Sequence, residues 1–166
     1  MMIQKIIVTV IGVLISIQMI GQDLNIFTPL MDKVWHAEGK WGDGSSFKQE
    51  TVFSYDLSQK IVIARSKGFI DQAQTQYGNR NHGIRKVNPE TGKIEFWEFD
   101  VFGGVTQGEV TYSGKDIIYT YTYGDSIVTD YWKYENDSTY TYTVGSYSNG
   151  IWKQKYLETK FTARTE

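Results

Sequence analysis

From residue 35 to residue 161, polar and apolar side chains alternate with a period of two, interrupted at short intervals by turn residues. The clearest run is Ile117-Ile118-Tyr119-Thr120-Tyr121-Thr122-Tyr123, with Ile and three Tyr at odd positions and Ile and two Thr at even ones. Tyr140, Tyr142 and Val144 alternate in the same way with Thr139, Thr141 and Thr143. Aromatic and β-branched residues suit a pleated surface, and a period of two predicts strands with two distinct faces. Residues 47–55, 60–69, 94–99, 105–112, 127–134 and 152–161 read as further strands, and 35–40 and 82–87 as weaker ones, which makes ten.

The connectors decide how these strands pair. Asn88-Pro89-Glu90-Thr91-Gly92, Ser113-Gly114-Lys115-Asp116, Gly124-Asp125, Glu135-Asn136-Asp137-Ser138 and Ser148-Asn149-Gly150 are short and rich in turn formers. Parallel pairing needs a crossover of about a dozen residues or more, so the neighbours must be antiparallel. An open meander of this length would leave edges exposed, and closure removes them. The expected fold is all-β: an antiparallel up-and-down meander barrel of about 8–10 strands with a short N-terminal helix. A two-sheet sandwich is the competing solution. Residues 94–101 carry Ile94, Phe96, Glu98 and Asp100 on one face and Glu95, Trp97, Phe99 and Val101 on the other. Two mixed faces fit a barrel interior that holds both apolar and polar groups. For the helix, Asp23 could cap a segment running to Val34, but Thr28-Pro29 is the better start, with Pro29 at the first helical position and Leu30, Met31 and Val34 on one stripe.

The N-terminus follows a different rule. One cation, Lys5, precedes ten uncharged residues, 6–15, and Gly21 offers a small residue for cleavage. This is the pattern of a secretory signal, residues 1–21, followed by one domain over 22–166. The apolar run is short of the ~20 residues a spanning helix needs, which leaves an uncleaved anchor as the alternative. The chain has no cysteine, so disulfides, a Cys-ligated zinc and a thiol nucleophile are excluded. Export without cysteine suits a bacterial periplasmic or extracellular protein with no stable membrane anchor after processing. With 17 Lys and Arg against 19 Asp and Glu the net charge is −2, too little positive charge for a nucleic-acid partner. Loss of residues 1–21 removes only Lys5, leaving 16 against 19.

A short helix, then Gly39-Lys40-Trp41, then a run of antiparallel strands resembles the calycin superfamily of lipocalins, fatty-acid-binding-type barrels and nitrobindin-like barrels. The resemblance implies a ligand-binding barrel in which Trp41 packs across the closed end, with Trp35 as its rival for that role. The C-terminal histidine that holds haem in nitrobindin-like proteins has no counterpart, because the last histidine is His82. The Arg-x-Tyr carboxylate clamp is also missing, since that strand reads Trp152-Lys153-Gln154-Lys155-Tyr156. No cofactor is implied.

Candidate chemistry is sparse. His36 and His82 are too few for a three-histidine zinc site, and no metal is expected. Glu98 and Asp100 share a strand face and could serve as paired carboxylates of a hydrolase or isomerase. An ion pair of a carboxylate from Glu95, Glu98 or Asp100 with Arg80, Arg85 or Lys93 is the simpler role for them. Arg65 and Arg85 lie among apolar neighbours, and an inward-facing arginine would be positioned to hold a ligand. Phe96, Trp97 and Phe99 precede a double glycine, and alternation sends either Phe96 or the Trp97/Phe99 pair inward. Tyr119 and Tyr121 share one face. The favoured reading is a non-enzymatic binding protein holding a small apolar or amphipathic ligand, with Phe96, Trp97, Phe99, Tyr119, Tyr121, Arg65 and Arg85 as candidate ligand-binding residues. A carbohydrate- or protein-interaction module with outward aromatics is the alternative.

Overall fold

A computed structural model describes residues 23–164. The expected signal segment and its cleavage after Gly21 lie outside the described residues. Ten strands form one closed antiparallel barrel in chain order: β1 Val34–Lys40, β2 Ser46–Asp56, β3 Ile61–Phe69, β4 Tyr77–Val87, β5 Ile94–Asp100, β6 Val105–Ser113, β7 Asp116–Tyr123, β8 Ser126–Asn136, β9 Thr139–Ser148 and β10 Ile151–Arg164. β1 meets β10 to close the ring. The sandwich alternative is thereby set aside. One of the two weaker expectations, residues 82–87, is the C-terminal half of an eleven-residue strand. Its first half, Tyr77-Gly78-Asn79-Arg80-Asn81, is too polar and glycine-interrupted to read as strand, and is held by pairing with β3.

The helix differs from the expectation. It is a 3-10 helix, Leu24–Leu30, and Asp23 is its cap, accepting from the Asn25 N–H through Oδ1 at 3.0 Å. Pro29 lies inside it rather than at its start. Three residues per turn place Leu24, Phe27 and Leu30 on one stripe, and all three are buried. Phe27 stacks on Phe53 at 6.3 Å, and the Tyr55 hydroxyl donates to the Leu24 carbonyl at 3.3 Å. The helix therefore caps one mouth of the barrel.

Behind this plug the interior is packed with rings. Trp132 stacks on Phe161 at 4.2 Å, and Trp35 meets Tyr140 edge-on at 5.3 Å. Trp35 is fully buried and its indole N–H donates to the Leu30 carbonyl at 3.0 Å, fastening the helix to β1. Trp41 is at the opposite mouth, half-buried against Phe47. The role that the resemblance assigns to Trp41 thus falls to Trp35. The reason is register: β1 enters the barrel at its plugged end, so a residue at its start, not past its finish, reaches the closed floor.

Trp35→Ala is expected to destabilise the fold by about 3–5 kcal/mol in urea titration, as for other buried large-to-small changes. Trp41→Ala is expected to cost well under half of that. Equal losses would show that Trp35 does not carry the closure.

Candidate functional site

Above the aromatic floor, the inward positions change character. Ala64 and Ser66 on β3 and Thr106 on β6 are small and line a cavity of about 150 Å³, while the space left by Gly83 on β4 and Gly108 on β6 is taken up by Arg85 with Glu98 and by Phe96. Eight strands make an interior that side chains just fill, and ten make a wider one. The space is walled by Phe53, Phe96, Trp132 and three tyrosines, and it contains Arg85, Glu98 and Asp130.

Register brings the charged groups together. Gly83 pairs with Glu98 across β4–β5, and Arg85, two residues on, pairs with Phe96. Arg85 folds back so that Nη2 lies 2.9 Å from Glu98 Oε2. Both groups rest over the Gly83 backbone, in the space a Cβ would occupy. Only glycine leaves that space at this close approach. Arg85 is 5% exposed, its Nε donates to the Tyr119 hydroxyl at 3.2 Å, and its guanidinium faces the Tyr119 ring at 5.2 Å. Burial opposes the Arg85 charge, but Tyr119 and Glu98 together outweigh it and keep the guanidinium protonated beyond its ordinary value. Arg85 Nη1 and Asn81 Oδ1 are buried without hydrogen-bond partners.

Gly108 does for Phe96 what Gly83 does for the ion pair. A Cβ there would press on the Phe96 ring and on Tyr121. Its absence lets Phe96 pack edge-on against Tyr119 at 5.0 Å and Tyr121 at 6.0 Å.

Asp130 faces this pair from β8. Its Oδ1 accepts from the Tyr121 hydroxyl at 2.9 Å and its Oδ2 from the Tyr142 hydroxyl at 2.8 Å. Burial pushes its carboxyl up to about 6, against the two hydroxyl donors that pull it down; nearby Glu98 adds to the rise. The Tyr121 and Tyr142 hydroxyls are raised in turn, first by burial and then by the Asp130 charge. The β2–β3 wall adds Thr51 and Ser66, whose hydroxyls are 2.9 Å apart.

Of the seven residues singled out from the sequence, Arg85, Phe96, Tyr119 and Tyr121 line this one cavity. Arg65, Trp97 and Phe99 do not. Alternation sends Phe96 inward and places Trp97 on the outer wall in a row with Ile63 and Ile84. Arg65, His82 and Phe99 form another outer row, where they border a shallow groove. The carboxylates divide as well. Glu98 pairs with Arg85, whereas Asp100 closes the β5–β6 turn by accepting from the Phe102 and Gly104 N–H groups at 2.8 and 2.9 Å. His36 faces Glu50 at 3.6 Å on the outer wall, away from His82. The lining is more polar than the expected apolar pocket because small inward residues make room for Arg85, Glu98 and Asp130. Asp130 is not among the residues that the sequence pattern singles out. Its signal is a single carboxylate on the inward face between Val128 and Trp132.

Neither a protein-family model nor any curated protein matches this sequence.

Two outcomes test the network. Arg85→Met is expected to destabilise by about 3–5 kcal/mol, because it strands the buried Glu98 carboxylate. Adding Glu98→Gln should recover much of that loss in chemical denaturation, and strict additivity would argue against a coupled pair. Asp130 makes the opposite linkage to a salt-bridged carboxylate. The folded carboxyl keeps its proton up to about 6, and an unfolded aspartic acid releases it near 4. The folded state therefore binds more protons in that window, and stability is lost as pH rises through it. Asp130→Asn is expected to gain stability relative to the parent by roughly 1–3 kcal/mol on moving from pH 4.5 to pH 7.5, measured by urea titration at both pH values.

Proposed function

We propose that this chain is an exported, non-enzymatic binding barrel that holds one small amphipathic ligand in the cavity around Arg85, in the manner of calycin-like proteins. The observation that carries this reading is Arg85 itself: a guanidinium 5% exposed, in a cavity of about 150 Å³, with one terminal nitrogen unpartnered. Buried polar groups are ordinarily satisfied, and one left open beside a cavity suits a hydrogen-bonding guest. A volume of this order accommodates a group the size of benzene, so a long fatty acid is disfavoured and a compact molecule with polar substituents fits. Rings of Phe53, Phe96 and Trp132 offer the apolar contact, and Arg85, Asn81 and Glu98 the polar one.

A surface-recognition role is the second reading. Tyr131, Tyr147 and Trp152 cluster on the outer wall with ring centroids 4.8–6.4 Å apart, a platform suited to stacking a sugar ring. The paired-carboxylate hydrolase is less supported, because Asp100 is engaged in its own turn.

Native mass spectrometry of the protein purified from its own host is the direct test. The expected result is a polypeptide beginning near Gln22 with one small molecule that leaves on denaturation. A ligand-free chain that binds no small molecule but adheres to glycans through Trp152 would favour the surface reading.

A further inference from the structure

The charges inside the barrel do not balance, and the imbalance identifies a class of guest. Arg85, Glu98 and Asp130 are the charged side chains among those lining the cavity, one positive and two negative. Arg85 is taken up by Glu98 at 2.9 Å. Asp130 is met only by hydroxyls, those of Tyr121 and Tyr142, with no cation in hydrogen-bonding contact. A buried charge is ordinarily paired with its opposite. A carboxylate offers about four lone-pair positions, and two hydroxyl donors leave half of them open.

The acceptors around Asp130 lean the same way. Asn81 Oδ1 is buried without a donor, and Glu98 Oε2, although close to Arg85, has no aligned hydrogen bond. The walls add ring faces, and a cation over an aromatic face is attracted by its quadrupole. Arg85 already uses this attraction inside the cavity, 5.2 Å from the Tyr119 ring. An anionic guest would raise the buried excess from one negative charge to two.

We infer that the cavity takes a small organic cation, a primary ammonium group seated on Asp130 among the rings of Tyr119, Tyr121 and Tyr142. This rests on the binding-barrel reading and names the class of its ligand. The ammonium supplies the donors that Asp130 lacks and cancels the net charge. The unpartnered Nη1 of Arg85 then suits an acceptor elsewhere on the same molecule, such as a hydroxyl or carbonyl oxygen.

The test uses three probes with the same four-carbon tail: n-butylammonium, 1-butanol and butanoate, titrated into the chain that begins at Gln22 and followed by calorimetry and tyrosine fluorescence. The expected order is n-butylammonium first, tighter than 1-butanol by roughly tenfold or more, with butanoate weakest. Alkylamines stay protonated below about pH 10, so between pH 8 and 5 only the protein side changes. Arg85, the Tyr119 hydroxyl beside it and the Tyr121 and Tyr142 hydroxyls on Asp130 are held well outside that range, and Glu98 is the remaining titratable group on this wall. With the Asp130 carboxyl at about 6, affinity should fall about tenfold from pH 8 to pH 5. Asp130→Asn should remove both the preference for the cation and the pH dependence. If that variant does not fold, the pH series on the parent still decides the matter. Equal or tighter binding of 1-butanol or butanoate overturns the cation assignment while leaving a binding barrel. No saturable binding of any probe overturns both.

Discussion

A guanidinium held inside a β-barrel constrains everything around it. Arg85 cannot stay charged there without a carboxylate, and Glu98 can reach it only because Gly83 lies between them with no side chain. That requirement fixes the register of β4 on β5, and with it which half of β5 faces in. Once Glu98 is inward, Phe96 is inward and Trp97 and Phe99 are not. Gly108 must then yield to the Phe96 ring, and Tyr119 and Tyr121 on the next strand pack against it. One buried charge thus organises four consecutive strands.

The barrel's two ends solve the problem of width differently. At the plugged end, large rings and the 3-10 helix fill the space, and Trp35 joins floor to wall through the Leu30 carbonyl. Toward the other end small residues face inward, and the remaining volume is bordered by hydrogen-bonding groups. The aromatic floor and the polar cavity are in this way separate layers of the same ten strands. Changes in the floor remove packed rings, and changes at Arg85, Glu98 or Asp130 in the upper layer alter the balance of buried charge.

Much of the fold was legible because hairpin chemistry is local. Asn88 shows why: its side chain accepts from the Glu90 N–H at 2.9 Å within the turn, a contact that depends only on nearby residues. Closure followed from the exposed edges an open meander would leave. The helix departs from a Thr28-Pro29 start because a proline at the start of a helix is a general preference, whereas the stripe of Leu24, Phe27 and Leu30 follows the tighter 3-10 spacing. The site was half legible. Arg85, Phe96, Tyr119 and Tyr121 lie on faces that alternation could propose. It could not choose between the two faces of β5, each with aromatics and acids. Arg65 shares its composition with Arg85 but falls on an odd position of β3, facing out. Asp130 went unnoticed because a single carboxylate in a strand ordinarily marks the solvent side.

The seam of the ring has a consequence for how the molecule forms. Nine of the ten strand pairings join neighbours in the chain and can arise hairpin by hairpin. The tenth unites β1 with β10, where Val34 meets Arg164, and its register spans only three residue pairs. Loop-closure entropy falls almost entirely on this contact. The hairpins need only local contacts, whereas ring closure joins the two ends of the strand order and carries the largest entropic cost. Without the meeting of first and last strands the cradle around Arg85 has walls but no enclosure, so exclusion of bulk water from the interior depends on this three-pair seam.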